Sequence, residues 1–393
     1  MNLNPQQSSS NNILSTILRH DAKVTSYKIA LLRAINDVVL SFPSLLQSQP
    51  AVLVPLRVLA EFWIAYYGPF VAGATPIWQG PRSQRRTGMT NDMAFRPVLT
   101  RLREIWEQEI GGVSLPADGY VLMNEMRIPR KRALLSAELQ EAYERATRVI
   151  SKTIEMQPIR YAGPGEWTVF DKPLRYQRAV AGVPLPGTQE REQCLRIAAE
   201  IWALFCDLSL WIEALCIHEW SLFTENVEQR GTESQDRGDI YRLLTSRPDN
   251  RRPLTWERNQ IDILLMEGHE FVCLWTQKRI GVQTSYDMDH LVPVSIYPIN
   301  EMWNLVPTDG YFNQHRKRDR LPTLKRLETA RPILVQTYAT YITAQPIAAA
   351  LFEDARLRFS GLEPQATTFA SELALATVAF MQRLAESRNI ARF

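Results

Sequence analysis

Residues 289–322 read DHLVPVSIYPINEMWNLVPTDGYFNQHRKRDRLP, and no other stretch limits what this chain can fold into as tightly. An Asp-His pair opens it. Asn304 follows fourteen residues after His290, Asn313 comes nine residues later, and a basic run closes the stretch. Upstream, Phe271 to Ile280 can form a first short strand and turn, and Tyr286 to Val292 a second strand that carries the Asp-His pair near its end. Asn304 then falls in a loop, and Tyr311 to Lys317 can open a helix. The expected order is strand, strand, helix, inserted in a chain that is otherwise mostly helical.

These residue types suit hydrolysis of a phosphodiester. The reaction needs a deprotonated water, neutralisation of charge on the phosphoryl and leaving oxygens, and in-line attack. One Mg²⁺ meets the second need, and it prefers one or two protein oxygens while keeping other positions for water and phosphate. Asp289 can supply a carboxylate oxygen and Asn313 an amide oxygen. His290 has the titration range of a general base near neutral pH. Strand neighbours face opposite ways, so His290 needs a strand end to address the same phosphate as Asp289, and Val292-Pro293 supplies one. Asn304 can both donate and accept, and is expected to brace the loop that aims His290. Lys317, one helical turn past Asn313, is expected to hold the scissile or a flanking phosphate. His315 is expected to point away from Asn313.

The pattern D-H-L-V-P-x-S, then N-L-V-P, then N-x-x-x-K-R-D-R-L-P resembles the HNH, or ββα-metal, endonuclease superfamily. The spacing of Asp289, His290, Asn304 and Asn313 is similar to that in the HNH domain of CRISPR effector nucleases. Trp303 to Pro307 and Lys317 to Pro322 resemble the Asn loop and K-G-D-R-type helix of bacterial HNH proteins. CLWTQKR from Cys273 resembles their first-strand knuckle, often written C-x-x-C. The resemblance implies Asp289 and Asn313 as metal ligands, His290 as base and Asn304 as the structural Asn, with Mg²⁺ as cofactor and Mn²⁺ as an alternative. Thr276 stands where many members have a second Cys, and no later C-x-x-C follows. No structural zinc is therefore expected, and the helical body is expected to buttress the motif. The helical regions also resemble those of standalone bacterial HNH proteins.

The rest of the chain reads as a mainly α scaffold. At 393 residues, with 45% hydrophobic and 22% charged content, it is a soluble globular composition long enough for two or three domains. The expected division is a disordered arm at 1–20, a helical N-terminal domain at 21–157, and a Pro/Gly-rich connection at 158–189. A helical core at 190–269 follows, then the HNH motif at 270–322 and C-terminal helices at 323–393 packing on the body. Glu190 to Val227 reads as one long central helix, apolar nearly all round. In the C-terminal helices, breaks are expected at Pro332, Pro346 and 361–364.

A net charge of +3 does not by itself announce a nucleic-acid partner, but its distribution does. Arg316, Arg318, Arg320, Lys325 and Arg326 lie beside the motif and are assigned to nucleic-acid contact. Further basic stretches at Arg82 to Arg103 and Arg127 to Arg132 suit a DNA backbone, a solvated surface or a protein interface equally. Cys194, Cys206, Cys216 and Cys273 form no C-x-x-C pair and read as buried free thiols of a reducing compartment. The polar N-terminus lacks the order of a signal peptide, and no membrane span is expected, so a cytoplasmic protein is anticipated. Cys216 with His218 lacks further zinc ligands, and Gly163-Pro164-Gly165 lacks the Lys-Ser/Thr of a phosphate loop.

The resemblance then implies a metal-dependent DNA endonuclease, with RNA as an alternative substrate, nicking alone or cutting both strands as a homodimer or with a partner protein. A conditional effector in bacterial anti-phage immunity is the expected setting. The competing expectation is a helical binding or sensor protein in which the HNH unit is regulated or inactive.

Overall fold

The computed structural model describes residues 17, 21, 23–45, 50–71, 77–80, 84–85, 88–89, 92–227, 236–247, 254–296, 300–364 and 366–393. All but a few positions of the expected disordered arm lie outside these, as do Arg82 and Arg86. Two units divide the chain, one of residues 1–40 and 45–247, the other of 41–44 and 248–393.

In the first unit, helix α1 (Tyr27–Ser41) precedes strand β1 (Ala51–Pro55), which runs straight into α2 (Leu56–Tyr67). Every residue of β1 is buried, as suits a continuous apolar run at a sheet centre. Helices α3 (Arg96–Ile110), α4 (Asp118–Arg127) and α5 (Ala137–Ile154) follow. Ser136 caps α5 by accepting from the Leu139 N–H at 3.3 Å. Strands β2 (Leu174–Arg175), β3 (Val183–Pro184) and β4 (Gln193–Ala198) complete a sheet in the order β2-β4-β1-β3. β4 is antiparallel to β1, with Ala51 opposite Ala198, and β3 is parallel to it, with Val52 opposite Val183. Helices α6 (Ala199–Asp207), α7 (Ser209–Glu225) and α8 (Arg237–Thr245) close the unit.

Two expectations need correction here. The long helix from Glu190 is a strand followed by two helices, because residues 193–198 complete the β1 ladder and the chain bends by 82° between α6 and α7. Nor is α7 buried all round: Trp211 is 66% and Leu215 49% exposed. The stretch 158–189 lies inside the first unit rather than between units, since β3 within it pairs with β1. Among the described residues no single helix is long and apolar enough to cross a membrane.

The second unit begins with α9 (Thr255–Met266). A hairpin of β5 (Phe271–Val272) and β6 (Arg279–Ile280) follows, then β7 (Asp287–His290) and β8 (Leu305–Thr308). β7 and β8 are antiparallel, with His290 opposite Leu305 and Asp287 opposite Thr308. A helical turn, Gly310–Phe312, widens into a π-helical turn, Asn313–Lys317. Helices α10 (Leu324–Thr343), α11 (Gln345–Arg358) and α12 (Phe369–Ser387) end the chain. The expected break at Pro332 is absent. α10 runs through it, and the carbonyl that the proline leaves unpaired belongs to exposed Glu328, where water can take it.

These last helices hold the strands. Tyr338 Oη donates to the Trp303 carbonyl at 2.6 Å and Tyr341 Oη to that of Leu305 at 3.0 Å. Trp303 is fully buried against Phe359 and Phe380. Just before it, the buried Glu301 carboxylate receives Arg358 of α11 and the Trp303 indole N–H. Met302 N–H donates to Asp354, also of α11, at 2.6 Å.

Each unit has a buried charge whose removal is measurable. In the first, Glu61 accepts from Arg57 at 2.7 Å and Arg127 at 2.5 Å. Burial works against this carboxylate, but the charges of Arg127 and Arg57 outweigh it and hold its pKa below the ordinary 4.5. Its contribution is present above about pH 4.5 and is lost as pH falls through the lower folded value. Glu61→Gln is expected to cost on the order of 3 kcal/mol at pH 7 in urea unfolding, with the gap to wild type closing in acid. Equal stability at pH 7 would contradict this. In the second unit, Arg358→Met strands the Glu301 carboxylate and is expected to cost a similar amount, about 3 kcal/mol, visible as loss of the α10–α12 amide protection in hydrogen exchange.

Candidate active site

Alternation along β7 sends Asp287 and Asp289 to one face and His290 to the other. The turn 313–317 lies alongside the first face. Two residues of strand advance about 6.8 Å and one helical turn about 5.4 Å, so two side chains of each element can meet in register. Asn313 Nδ2 donates to Asp287 Oδ2 at 3.3 Å, and Gln314 Nε2 to the same oxygen at 3.0 Å. Lys317 Nζ donates to Asp289 Oδ1 at 2.8 Å.

Both contacts revise the sequence reading. Asn313 meets Asp287, not Asp289. Lys317 does not reach out toward a phosphate: it is 1% exposed, and its ammonium also donates to the His290 carbonyl at 2.6 Å. Asp289 is 3% exposed, and its second oxygen accepts from the Trp275 indole at 3.1 Å. The inward turn of Lys317 follows from the charge beside it. A carboxylate this deep must be paired, and Lys317 is the cation within reach.

His290 ends β7, and the strand end turns its ring back toward the same cleft. Nε2 lies 2.6 Å from Asn300 Oδ1. A carbonyl oxygen only accepts, so Nε2 carries the proton and the lone pair sits on Nδ1. Burial, the leading cause, pushes the imidazole below its usual pKa. The Asn300 bond and Asp289 pull it up, and the Lys317 charge adds to the depression. The net effect favours the neutral ring, the form a base requires.

Asn304 is fully buried and clasps the residue two past His290. Its Oδ1 accepts from Val292 N–H at 2.8 Å, and its Nδ2 donates to the Val292 carbonyl at 3.1 Å. The Leu291 N–H donates to the Asn304 carbonyl at 2.8 Å. Three bonds thus fix the backbone leaving His290.

One cleft of about 420 Å³ is lined by Asp287, Asp289, His290, Asn313, Lys317 and Arg318. Arg258 and Asn259 of α9 line its other wall. Of the five basic residues assigned from sequence to nucleic-acid contact, only Arg318 lines it. Arg316 and Lys325 are exposed elsewhere, and Arg320 donates back to the Arg316 carbonyl. Arg326 lies over the Phe312 and Phe393 rings at 5.7 and 5.2 Å. His315 is exposed and packs its ring at a tilt against Tyr311. In the first unit, Arg96, Arg101, Arg103 and Arg127 are spent on Asp92, Glu104, Glu138, Glu107 and Glu61. That weakens the reading of those stretches as a DNA track.

Sequence reasoning missed Asp287, Asn300 and Arg258. The signal for Asp287 was available, since D-M-D puts two carboxylates on one strand face. Arg258 gave none: it is fixed to Tyr286, ring and carbonyl, from a helix 28 residues upstream. Cys273, at the knuckle, accepts from the Asp309 N–H at 3.3 Å, and its carbonyl accepts from Gln277 N–H at 2.9 Å.

Among the described residues, no group of three or more His, Cys, Asp or Glu forms a metal cage. The donors on offer are two carboxylates and an amide, a set that fits a hard cation content with few protein oxygens. The Asp287 and Asn313 head groups are close enough to share one once the amide presents its oxygen.

A family model for a domain of unknown function (DUF8808) matches residues 7–244, and one for HNH endonuclease matches residues 273–323. No curated protein and no solved structure matches the chain. The chain belongs to the DUF8808 family and carries an HNH endonuclease domain at residues 273–323.

Proposed function

We propose that this protein is a metal-dependent DNA endonuclease that hydrolyses phosphodiester bonds by a one-metal HNH mechanism. The observation that carries the reading is one cleft lined by Asp287, Asp289, Asn313 and the imidazole of His290, whose Nε2 meets Asn300. Bound there, Mg²⁺, or Mn²⁺ in its place, would neutralise charge on the phosphoryl and leaving oxygens. Asp289 and Asn313 would hold it, and we add Asp287, which already meets Asn313. Asp289 becomes available as Lys317 gives up one of its two bonds while keeping the His290 carbonyl. His290 Nδ1 takes the proton of the attacking water, and Asn300 steadies the ring as charge develops on it. Asn304 fixes the angle of attack through Val292.

Several features support the wider setting. One site cuts one strand, so a nick is the unit event, and a homodimer or a partner protein would give double-strand breaks. The four cysteines are free, as suits the cytoplasm. The chain carries a large domain, matched at 7–244, besides a small nuclease, and on that arrangement we propose a conditional effector in bacterial anti-phage immunity.

Supercoiled plasmid with Mg²⁺ or Mn²⁺ tests the reaction. Wild type should give open circles, and His290→Ala should lose roughly 10²–10⁴-fold of the rate. A mutant that nicks as fast as wild type removes His290 from the mechanism. The added ligand has a readout apart from cleavage. Asp287→Asn should weaken Mn²⁺ binding, read by electron paramagnetic resonance titration, by at least about tenfold. An unchanged Mn²⁺ affinity would leave Asp287 outside the metal site.

A further inference from the structure

The turn that follows Lys317 holds a residue in a conformation it should avoid. Arg318 has φ 53° and ψ −125°. That region is nearly closed to any residue with a Cβ and is ordinarily glycine's. Arg320 N–H donates to the Lys317 carbonyl at 3.1 Å, so 317–320 is a β-turn with Arg318 at its second position. Those angles are those of a type II′ turn, whose second position takes glycine.

Backbone bonds and the Lys317 pair hold the turn, but the Arg318 side chain makes no contact within the described protein that would account for an arginine there. Arg318 is exposed and makes no side-chain hydrogen bond, ion pair or ring contact among the described residues. Its neighbours differ: Lys317 is fully engaged and Arg320 folds back on the turn. Arg258, the other guanidinium of the cleft, is fixed to Tyr286. Arg318 thus combines a strained backbone, an unengaged guanidinium and a place on the cleft wall beside Asp289, His290 and Asn313.

We infer that Arg318 is the cleft's backbone-phosphate clamp, and that the strained turn is kept because it aims this guanidinium at a DNA phosphate next to the cut. Backbone strain held at a binding site is a known use of such conformations. A guanidinium can grip two phosphate oxygens at once, which fixes the strand as well as attracting it. The inference rests on the nuclease reading above.

The test compares wild type with Arg318→Gly, Arg318→Ala and Arg318→Lys, using a fluorescein-labelled DNA duplex in EDTA, with an RNA duplex in parallel. Arg318→Gly should melt about 2–4 °C higher, because the turn is relieved. It should also bind DNA more weakly, with the slope of log K against log salt smaller by about 0.9. Arg318→Ala keeps the strain and loses the charge, so it should match the binding loss without the gain in melting temperature. Arg318→Lys should recover the slope. A stabilised Arg318→Gly that binds with unchanged slope overturns the clamp, and so does an Arg318→Gly that is no more stable. If wild type nicks plasmid while the slope is unchanged, the clamp alone falls. If wild type neither binds nor nicks, the nuclease reading falls with it. A slope change confined to RNA overturns the assignment to DNA.

Discussion

A buried ammonium joins the two halves of the site. Lys317 Nζ, on the helical turn, lies between the Asp289 carboxylate and the His290 carbonyl, both on the strand. Taking two such charges out of water costs several kcal/mol each before pairing, so neither can be deep without the other. The pair draws the turn onto the strand, and that approach is what lets Asn313 reach Asp287 one step away. The same charge also bears on His290, where it adds to burial in keeping the imidazole neutral. One ion pair therefore brings the oxygen donors together and adds to the burial that lowers the pKa of His290.

A segment of about fifty residues cannot bury enough apolar surface to hold such a cluster alone. Here the support comes from helices that follow it in sequence. Arg358 and Asp354 pin residues 301–302, and Tyr338 and Tyr341 satisfy the carbonyls of 303 and 305. Between these points sits Asn304, whose amide fixes Val292 and with it the exit of the strand from His290. The position of His290 thus depends on α10 and α11, acting through residues 301–305.

Much of this was legible in the sequence, for identifiable reasons. Asp289, His290, Asn304 and Asn313 are polar residues at fixed intervals in a short segment, and local order is enough to place them on strand, loop and turn. The inward turn of Lys317 was not legible, because it depends on how deeply Asp289 is buried. Asp287 was visible but passed over, since one carboxylate already satisfied the pattern. Residues 193–198 were read as helix because their β partner, 51–55, lies about 140 residues earlier, and no local signal reports a ladder of that range. Apolar residues all round α7 suggested a core helix, yet Trp211 and Leu215 stand exposed. Composition gives hydrophobicity, whereas the side a helix buries is decided by what packs against it.

Charge bookkeeping limits how a nucleic acid can be held. The chain carries 45 basic against 42 acidic residues, so its long-range field is weak. Of the basic side chains of the first unit that the sequence offered as a track, Arg96, Arg101, Arg103 and Arg127 are instead paired to carboxylates within that unit. In the cleft, Asp287 and Asp289 are lined up with Lys317, Arg258 and Arg318, so the carboxylates offer oxygens to a divalent cation while the guanidiniums of the wall favour a phosphate. A phosphate held by those guanidiniums lies beside the two carboxylates, and a bound cation would cancel the carboxylate charge that it faces. Metal and nucleic acid should therefore bind cooperatively, each lowering the electrostatic cost of the other.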